Sequence, residues 1–322
     1  MAEKRKILSA FLPGAAAIWL GLCHSAPYIE GTHPVGTLFG MAPPLLLIAP
    51  PICVLIVLGF RVLLRREVGR NLVTALGIAA ATIPLLSPQW SGARGAGADG
   101  TILAMTFNVE KSSRRMPELL AYLKENRVDI LFLQENKGGD ESPASYLQGS
   151  LAGWHMASAG EVAILSRWPL EDVRSIETKT GDGRQMLLAD IAGPRRFRAM
   201  TVHWSVPQFS KGLRAMRNGA VRQSLDYEQT LEAAREGDLP LLLGGDFNNP
   251  PRHAFTHDLS RRFENCFSTR GAGLGWTYPS GKPWTRIDHL YVARGLETLG
   301  AKVGPNLGSD HLPLLAKVAF QR

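Results

Sequence analysis

Polar side chains follow several apolar runs of the sequence, at the points where buried strands would end. Asn108 closes the run TILAMTF, Glu135 follows DILFLQ, and His203 ends RFRAMTVH. Similar residues stand beside the later apolar runs LPLLLGG, LYVA and LPLLAKVAF: Asp246, Asn248, Asp288, Asp310 and His311. The ends of successive buried strands can converge on one rim of a sheet, where a charge is costly unless it is paired or bound to a metal. The sequence therefore predicts one polar site assembled from distant segments.

These residue types suit two kinds of chemistry. Carboxylate and amide oxygens are the ligands that Mg²⁺, Mn²⁺ or Ca²⁺ prefer, whereas zinc prefers thiolate and imidazole. The imidazoles of His203 and His311 could transfer protons or hydrogen-bond a phosphate near neutral pH. Structural roles are also open to these residues, because Asp and Asn readily form turns, as Asp246 and Asn248 could before Pro250.

The elements that must position these residues read as an α/β fold. TILAMTF (101–107) and DILFLQ (129–134) are short strand-like runs, and several runs are apolar on both faces. Residues 114–127 have the apolar spacing of a helix, and residues 211–237 predict a long helix that Gly219 could break. Strands outnumber helices, which favours sheets packed between helices.

Charge is distributed unevenly along the chain. The 322 residues include 36 Lys+Arg and 28 Asp+Glu, and 45% of residues are hydrophobic, which excludes a disordered or collagen-like chain. Three cysteines exclude a disulfide scaffold and a four-cysteine zinc site. Residues 1–100 contain only 8 Lys+Arg and 4 Asp+Glu, against 28 and 24 in residues 101–322. We therefore expect two regions of different kinds.

Three long uncharged stretches divide the first region. They contain 23 residues between Lys6 and Glu30, 30 between Glu30 and Arg61, and 23 between Arg70 and Arg94. A bilayer core of about 30 Å needs about 20 apolar residues in a helix, so each stretch is long enough. The sequence predicts about three transmembrane helices, although the first stretch could instead be a cleaved signal peptide and the whole region could instead be a buried helical core.

Basic residues indicate the orientation of these helices. Residues 4–6 are KRK and the loop 61–70 contains four arginines, whereas the loop around Glu30 has no Lys or Arg. The positive-inside rule then places the N-terminus in the cytoplasm and everything after residue 90 outside it. We expect a multi-pass membrane anchor at residues 1–90, in contact with the lipid bilayer. A flexible linker at 91–100 and an extracytoplasmic domain at 101–322 would follow.

A family resemblance rests on six segments of the domain after residue 100. The ordered set TFNVE, LQE, TVHW, GGDFNNPP, RIDHLYV and GSDHLP resembles the endonuclease/exonuclease/phosphatase superfamily, which includes deoxyribonuclease I. The resemblance covers about residues 100–320. It implies a four-layer α/β sandwich, with two β-sheets packed face to face and helices outside.

The resemblance also implies a Mg²⁺ site and a hydrolytic mechanism. Glu135 would be the main metal ligand, Asn108 would lie beside it, and Asp310 would complete the metal environment. Mn²⁺ or Ca²⁺ are alternative ions. Glu161 could orient His203, as a glutamate does in deoxyribonuclease I.

Five residues would carry the reaction, which the resemblance implies is attack of water on a phosphoester without a covalent enzyme intermediate. Asp246 would orient or deprotonate the water, and Asn248 would hydrogen-bond the phosphate. His311 would contact the phosphate and assist the leaving group, Asp288 would fix the tautomer of His311, and His203 would be the second phosphate-facing histidine.

The substrate stays open at the level of sequence. A nuclease acting on nucleic acid outside the cytoplasm is the first hypothesis, because basic clusters lie at residues 195–198, 211–222 and 252–262. A phosphatase or phosphodiesterase acting on lipid head groups or small phosphorylated metabolites is the second. The third is a catalytically inactive binding module. No protein partner can be inferred.

Overall fold

The computed structural model describes most of the chain as two compact units. One unit comprises Met1–Pro88 with Arg252–Ala254, and the other comprises Gln89–Pro251 with Phe255–Arg322. Side chains at positions 2–10, 27 and 213 fall outside the description. The described residues are 2–28, 40–42, 44–64, 68–93, 100–110, 115–206 and 211–321.

The described residues of the N-terminal unit include three long helices: α1 (Ala2–Ser25), α2 (Pro44–Leu63) and α3 (Val68–Thr82), which a 3₁₀ turn extends to Leu86. Two stretches are long and apolar enough to cross a membrane. They are Pro44–Leu63, with 20 residues and a mean hydropathy of 2.5, and Val68–Leu86, with 19 residues and a mean hydropathy of 1.3. Phe11–Ser25 is apolar but shorter, so the expectation of about three spans is not confirmed.

The side chains of these helices distinguish them from the core helices of a soluble protein, which bury most of their apolar surface. Only 28% of the first stretch and 22% of the second are buried. Leu47, Leu58 and Ile78 form a small core, whereas Phe60 and Val73 are more than half exposed. The charged side chains on which the expected orientation depends lie partly outside the described residues: those at positions 4–6, 30, 65 and 66.

In the described part of the second unit, the chain forms two six-stranded sheets and five α-helices. Its helices are α4 (Met116–Asn126), α5 (Pro143–Ser150), α6 (Leu213–Arg235), α7 (Ala254–Arg262) and α8 (Cys266–Arg270). Its strands are β1 (Ile102–Asn108), β2 (Ile130–Gln134), β3 (His155–Ala159), β4 (Val162–Ser166), β5 (Leu170–Glu177), β6 (Gln185–Ile191), β7 (Phe197–His203), β8 (Leu241–Asp246), β9 (Glu264–Asn265), β10 (Asp288–Ala293), β11 (Leu296–Val303) and β12 (Leu314–Phe320).

Each sheet is mixed. The first has the order β11-β12-β1-β2-β4-β3 and the second β5-β6-β7-β8-β10-β9. β1 pairs with β2 in parallel and β7 pairs with β8 in parallel, while the remaining pairs are antiparallel. Carboxyl ends of parallel neighbours meet at one edge, so the end of β1 lies beside that of β2, and the end of β7 beside that of β8.

The sheets pack face to face over a dry core and are covered by helices on their outer faces. Phe132 and Ile164 of the first sheet meet Leu187, Leu242 and Leu290 of the second, all essentially inaccessible to solvent. Outside the first sheet, residues of α4 and α5 close a second cluster, and residues of α6 and α7 close a third cluster outside the second sheet. The sandwich of two sheets flanked by helices is therefore confirmed.

Two glycines allow close packing just before the polar rim, Gly244 against β2 of the facing sheet and Gly245 against the neighbouring strand β7. A Cβ atom added at Gly244 would lie 2.5 Å from a ring carbon of Phe132, and one added at Gly245 would lie 2.1 Å from the backbone oxygen of Val202. Both distances are far below ordinary van der Waals contact, so larger side chains would force the backbone apart. These glycines fix the position of the next residue, Asp246.

Some elements differ from the sequence prediction. α6 runs without a break through Gly219, since it is continuous from Leu213 to Arg235. β5 was not predicted because six of its eight residues are exposed, so it has no apolar pattern to recognise. β3 and β11 are likewise only partly buried, and a register shift between Thr298 and Gly300 interrupts the alternation of β11.

Candidate active site

Strand register brings the predicted site residues to one rim. Asn108 pairs with Gln134 at the end of the first sheet's parallel pair, which places Glu135 one residue beyond it. In the second sheet, Asp246 is paired with His203 on one side and with Asp288 on the other. Residues far apart in sequence therefore stand side by side because of which strands are neighbours.

Asp246 lies at the centre of this rim and is 1% exposed. Its carboxylate accepts hydrogen bonds from the Asn108 side-chain amide at 3.1 Å and from the Asn248 backbone N–H at 2.8 Å. His203 Nε2 and His311 Nε2 each lie 3.7 Å from its Oδ2 atom. Burial raises the pKa of Asp246, and the positive charge of His311 acts against that rise.

His311 and Asp288 form a buried pair. His311 Nδ1 lies 2.9 Å from Asp288 Oδ2, and the Tyr278 ring lies 4.9 Å from the imidazole, centroid to centroid. Burial lowers the pKa of His311, but the charges of Asp288 and Asp246 and the hydrogen bond to Asp288 outweigh it and raise the pKa to about 10. The ring is therefore fixed with Nε2 toward Asp246.

His203 has a carboxylate partner of its own, Glu161. Its Nδ1 atom lies 2.7 Å from Glu161 Oε1, while Arg184 and Lys137 lie 3.4 and 3.6 Å from the same carboxylate. Burial raises the pKa of Glu161, but the hydrogen bond from His203 and the positive charges of His203, Arg184 and Lys137 lower it to about 2.

Glu161 is the site residue to which sequence reasoning gave too little weight. It stands immediately before β4, at the start of the apolar run VAILS, and nothing in its own segment marks it as different from a surface glutamate. The only sequence signal was the likeness to deoxyribonuclease I.

Glu135 and Asn108 lie side by side next to the central carboxylate. Asn108 is fully buried, and its side-chain amide donates to Glu135 Oε1 at 3.1 Å as well as to Asp246. Glu135 has a positive φ of 56°, a conformation that costs energy for a residue with a Cβ and that recurs at functional sites. Its carboxylate is 20% exposed, with Lys137 Nζ 3.7 Å from Oε2.

Asn248 and Asp310 border the same rim. Asn248 also has a positive φ, 50°, and its side-chain amide donates to the Trp204 carbonyl at 2.9 Å. Asp310 lies beside Ser309, whose hydroxyl oxygen is 3.4 Å from Asp310 Oδ1, and its charge contributes to the raised pKa of His311. All eight predicted residues thus lie at or beside this rim.

His289, adjacent to Asp288 in sequence, is bonded as a structural residue. Its Nε2 donates to the Asn249 carbonyl at 2.9 Å, and its Nδ1 lies 3.2 Å from the Asn265 amide nitrogen. Burial and the nearby Arg286 lower its pKa to about 3, so the ring is neutral.

Two groups of residues on the rim have the donor atoms for a cation. Asp246, Asp288 and His311 offer one ligand atom each within 4.8 Å of one another, and Asp288 Oδ1 is buried with no hydrogen-bond partner among the described residues. His311 Nδ1 faces Asp288, which leaves only Nε2 for a metal, and the raised pKa of His311 disfavours the neutral imidazole that a metal requires. Glu135 with Asn108 offers oxygen donors at a partly open position, which better suits a hard divalent cation.

The fold and this rim place the chain in the class of α/β-sandwich hydrolases. A model of the Endonuclease/Exonuclease/phosphatase family matches residues 105–311, and the chain belongs to this family. Members of the family hydrolyse phosphoester bonds and generally use a divalent metal. None of the curated proteins matches the chain.

Solved structures of the same fold cover about two thirds of this chain. A mannosyl-6-phosphatase from Bacteroides thetaiotaomicron is 16% identical, with 68% of this chain and 100% of that chain covered and a TM-score of 0.53. Truncated TDP2 from Caenorhabditis elegans is 19% identical, with 68% and 97% covered and a TM-score of 0.54. An endonuclease/exonuclease/phosphatase from Beutenbergia cavernae is 14% identical, with 69% and 72% covered and a TM-score of 0.53. At these identities the likeness concerns the fold.

Proposed function

We propose that this protein is a membrane-anchored, metal-dependent phosphodiesterase of the nuclease type, which hydrolyses its substrate by direct attack of water. One observation carries the proposal. Two imidazoles, each 3.7 Å from the same buried carboxylate of Asp246, have separate carboxylate partners that fix their ring orientations. A phosphodiester has two bridging oxygens and two non-bridging oxygens, so two donors beside one water-orienting carboxylate can serve one oxygen of each kind.

The residues of the chain divide the work as follows. Asp246 accepts a hydrogen bond from the attacking water and takes its proton as the P–O bond forms. His311 Nε2 donates toward the leaving oxygen, and Asp288 keeps the proton of the other ring nitrogen in place. His203 Nε2 holds a non-bridging oxygen, and Glu161 orients that ring from behind. Asn248 lies beside Asp246 and contributes an amide to the phosphate.

Glu135 and Asn108 are the residues that would hold the metal, with Asp310 nearby. The carboxylate of Glu135 is partly open and its φ is strained, as expected of a side chain held in position by its surroundings for a ligand. When bound, Mg²⁺ supplies stabilisation of the negative charge that develops on the phosphate oxygens. Oxygen-only donors also admit Mn²⁺ or Ca²⁺.

Two alternatives use the same residues. A phosphatase or a phospholipase-type phosphodiesterase would act on lipid head groups or small phosphorylated metabolites, and the mannosyl-6-phosphatase of similar fold supports a monoester reading. A catalytically inactive binding module is disfavoured, because the complete set of carboxylates, amides and histidines is retained and mutually hydrogen-bonded.

The anchoring part of the proposal rests on the N-terminal helices. Two long stretches expose most of their apolar side chains, which is costly in water and favourable in lipid. With the basic residues at 4–6 and 61–70 inside, the catalytic domain would lie outside the cytoplasm. A reporter fused after residue 322 tests this: activity of the fusion in the cytoplasm would overturn the proposed orientation.

The catalytic part is tested with the full chain purified in detergent. We expect Mg²⁺-dependent cleavage of plasmid DNA, RNA or bis-p-nitrophenyl phosphate, lost on chelation and lost in Asp246→Asn. Phosphatidylinositol phosphates, sphingomyelin and sugar phosphates belong in the same panel. Activity only on these lipid and sugar phosphates would favour the phosphatase or phospholipase-type alternative over the nuclease. Metal binding without turnover of any substrate would favour the inactive binding module.

A further inference from the structure

Backbone hydrogen bonds attach the segment that follows the N-terminal helices to the catalytic domain. Gln89 and Gly273 exchange two backbone hydrogen bonds of 2.8 and 2.9 Å, and the Gly92 N–H donates to Gly271 at 3.1 Å. The last apolar stretch ends at Leu86, three residues before Gln89. Gly271 and Gly273 therefore bind the segment that directly follows the last apolar stretch in the chain.

This surface, here called the exit face, consists of Trp90, Ala272, Leu274, Trp276 and Lys302. Trp90 is 84% exposed, and Ala272 and Lys302 are also exposed. Leu274, Trp276 and Lys302 help to line an open cleft of about 390 Å³ whose other walls are largely apolar. Trp276 is half-buried, so Trp90 is the fully exposed tryptophan of this face. An exposed tryptophan together with an open apolar cleft is unusual on a surface that faces only water.

The charge of the exit face has one sign. Residues 266–287 contain no Asp or Glu, and of their three basic residues Lys282 is exposed, Arg270 is half-buried and Arg286 is buried. Their aromatic residues Trp276, Tyr278 and Trp284 are half-buried. Aromatic rings and Lys or Arg are the residues enriched where proteins meet lipid head groups, because the rings span the polar boundary and the cations attract anionic lipid. This composition matches a phospholipid surface and not a polyphosphate or nucleic-acid groove, which would not require the apolar cleft.

The exit face is connected to the catalytic rim by one short loop. Tyr278, two residues after Trp276, contacts the His311 ring, and the Ser280 N–H donates to the Asp310 carbonyl at 2.7 Å. The Thr277 hydroxyl accepts from the Asp288 N–H at 3.4 Å. Only a few residues of this loop therefore separate the exit face, and any partner bound to it, from the proposed active site.

We propose that the exit face docks on the surface of the phospholipid bilayer in which the N-terminal helices are anchored, with Trp90 and Trp276 at the head-group level and Lys302 facing lipid phosphates. This inference rests on the proposed anchoring. Docking would keep the catalytic rim at the bilayer surface, so that phosphoesters presented there, or brought along it, are the substrates with best access.

The test places one fluorescent label on each of two edges of the sandwich. The full chain, carrying Cys53→Ala to remove its exposed thiol, receives either Ala272→Cys on the exit face or Ser175→Cys on β5. β5 forms the edge of the second sheet opposite β9, and both substituted residues are small and exposed. An environment-sensitive NBD label is attached, and the protein is reconstituted into phosphatidylethanolamine–phosphatidylglycerol vesicles containing doxyl-labelled lipid.

We expect the label at position 272 to be quenched several-fold by the doxyl lipid and shielded from aqueous iodide, and the label at 175 to show the reverse. A label at Lys302→Cys should behave as at 272. Equal doxyl quenching at positions 272 and 175 would contradict docking. Shielding from iodide at position 272 without doxyl quenching would also contradict it, because protein rather than lipid would then cover the exit face.

An alkaline carbonate wash separates this failure from a failure of the anchoring. Protein that stays with the vesicles but gives no quenching at 272 leaves the anchor standing and refutes the docking. Protein released by the wash refutes the anchor itself and the docking with it.

Discussion

The two histidines beside Asp246 have carboxylate partners in different surroundings. Asp288 is fully buried and its one described side-chain contact is the 2.9 Å pairing with His311. Glu161 is partly exposed, and it is within 4 Å of Lys137, Arg184 and His203. Asp288 pairs with His311, whereas Glu161 is shared by His203, Lys137 and Arg184.

This difference predicts which of the two histidine–carboxylate pairs contributes more to catalysis. A buried pair in a low dielectric loses the most when one partner is neutralised, because the remaining charge has nothing else to interact with. A partly exposed carboxylate among several cations loses less, because water and the other groups compensate. We therefore expect the His311 side to dominate catalysis and the His203 side to modulate it.

The largest effect is expected for His311→Gln. Loss of the donor to the leaving oxygen should lower kcat/KM by about 10³-fold, or about 4 kcal/mol, within the range of general acid–base catalysis. Steady-state kinetics on bis-p-nitrophenyl phosphate measure it, and circular dichroism checks the fold. His155→Gln, an exposed histidine on β3, is the matched control and should leave the rate unchanged.

Asp288→Asn should have the next largest effect. The amide can offer its own N–H to His311 and favour the wrong tautomer, so kcat should fall by about 10²-fold with little change in KM. The unfolding midpoint should stay near that of the original chain, because Asn has the same shape. A loss in kcat no greater than that of Glu161→Gln would contradict the contrast between the two sides.

Asp226, which holds the segment that follows His203, should make the stability of the folded protein depend on pH. Asp226 accepts the Ser205 N–H at 2.7 Å, two residues after His203, and burial raises its pKa to about 6. A folded-state pKa above the unfolded value near 3.9 means that the folded protein binds the proton more tightly. The free energy of unfolding should therefore fall by about 2 kcal/mol from this group as pH rises from about 4 to above 6.

Asp226→Asn should remove that contribution. Urea unfolding of the full chain at pH 4.5 and pH 7.5 measures it as the difference between the original and the variant protein, which cancels the other titrating groups. An identical pH dependence in both proteins would show that Asp226 does not titrate with a raised pKa.

Glu161→Gln should have the smallest effect on catalysis. Gln keeps a hydrogen-bond acceptor for His203 Nδ1 but loses the charge, so kcat should fall by about tenfold, or about 1.4 kcal/mol. The kcat of Glu161→Ala should fall further, because this substitution also removes the hydrogen-bond acceptor. A fully active Glu161→Gln beside an impaired Glu161→Ala would show that Glu161 acts only by orienting the His203 ring. A loss of kcat in Glu161→Gln as large as that in Asp288→Asn would show that Lys137 and Arg184 do not compensate for the lost charge.

Much of the fold could be predicted from the sequence. The runs ending at Asn108, Glu135 and Asp246 are continuous apolar strands, as expected of strands buried on both faces, and all three form strands that end where predicted. β5 escaped prediction because an exposed edge strand has no such pattern. The N-terminal stretches were read as three spans, and two of them pass the length and hydropathy test within the described residues.

The sequence by itself determined which chemical groups this protein has and where the strands buried on both faces end, because both follow from residue type and local periodicity. Only the tertiary structure decided which groups meet. Asn108 and Asp246 are 138 residues apart yet 3.1 Å from one another, and Glu161 reaches His203 from another sheet. Such contacts follow from strand order and from the close packing of the two sheets at Gly244, and these depend on the whole core rather than on any one segment.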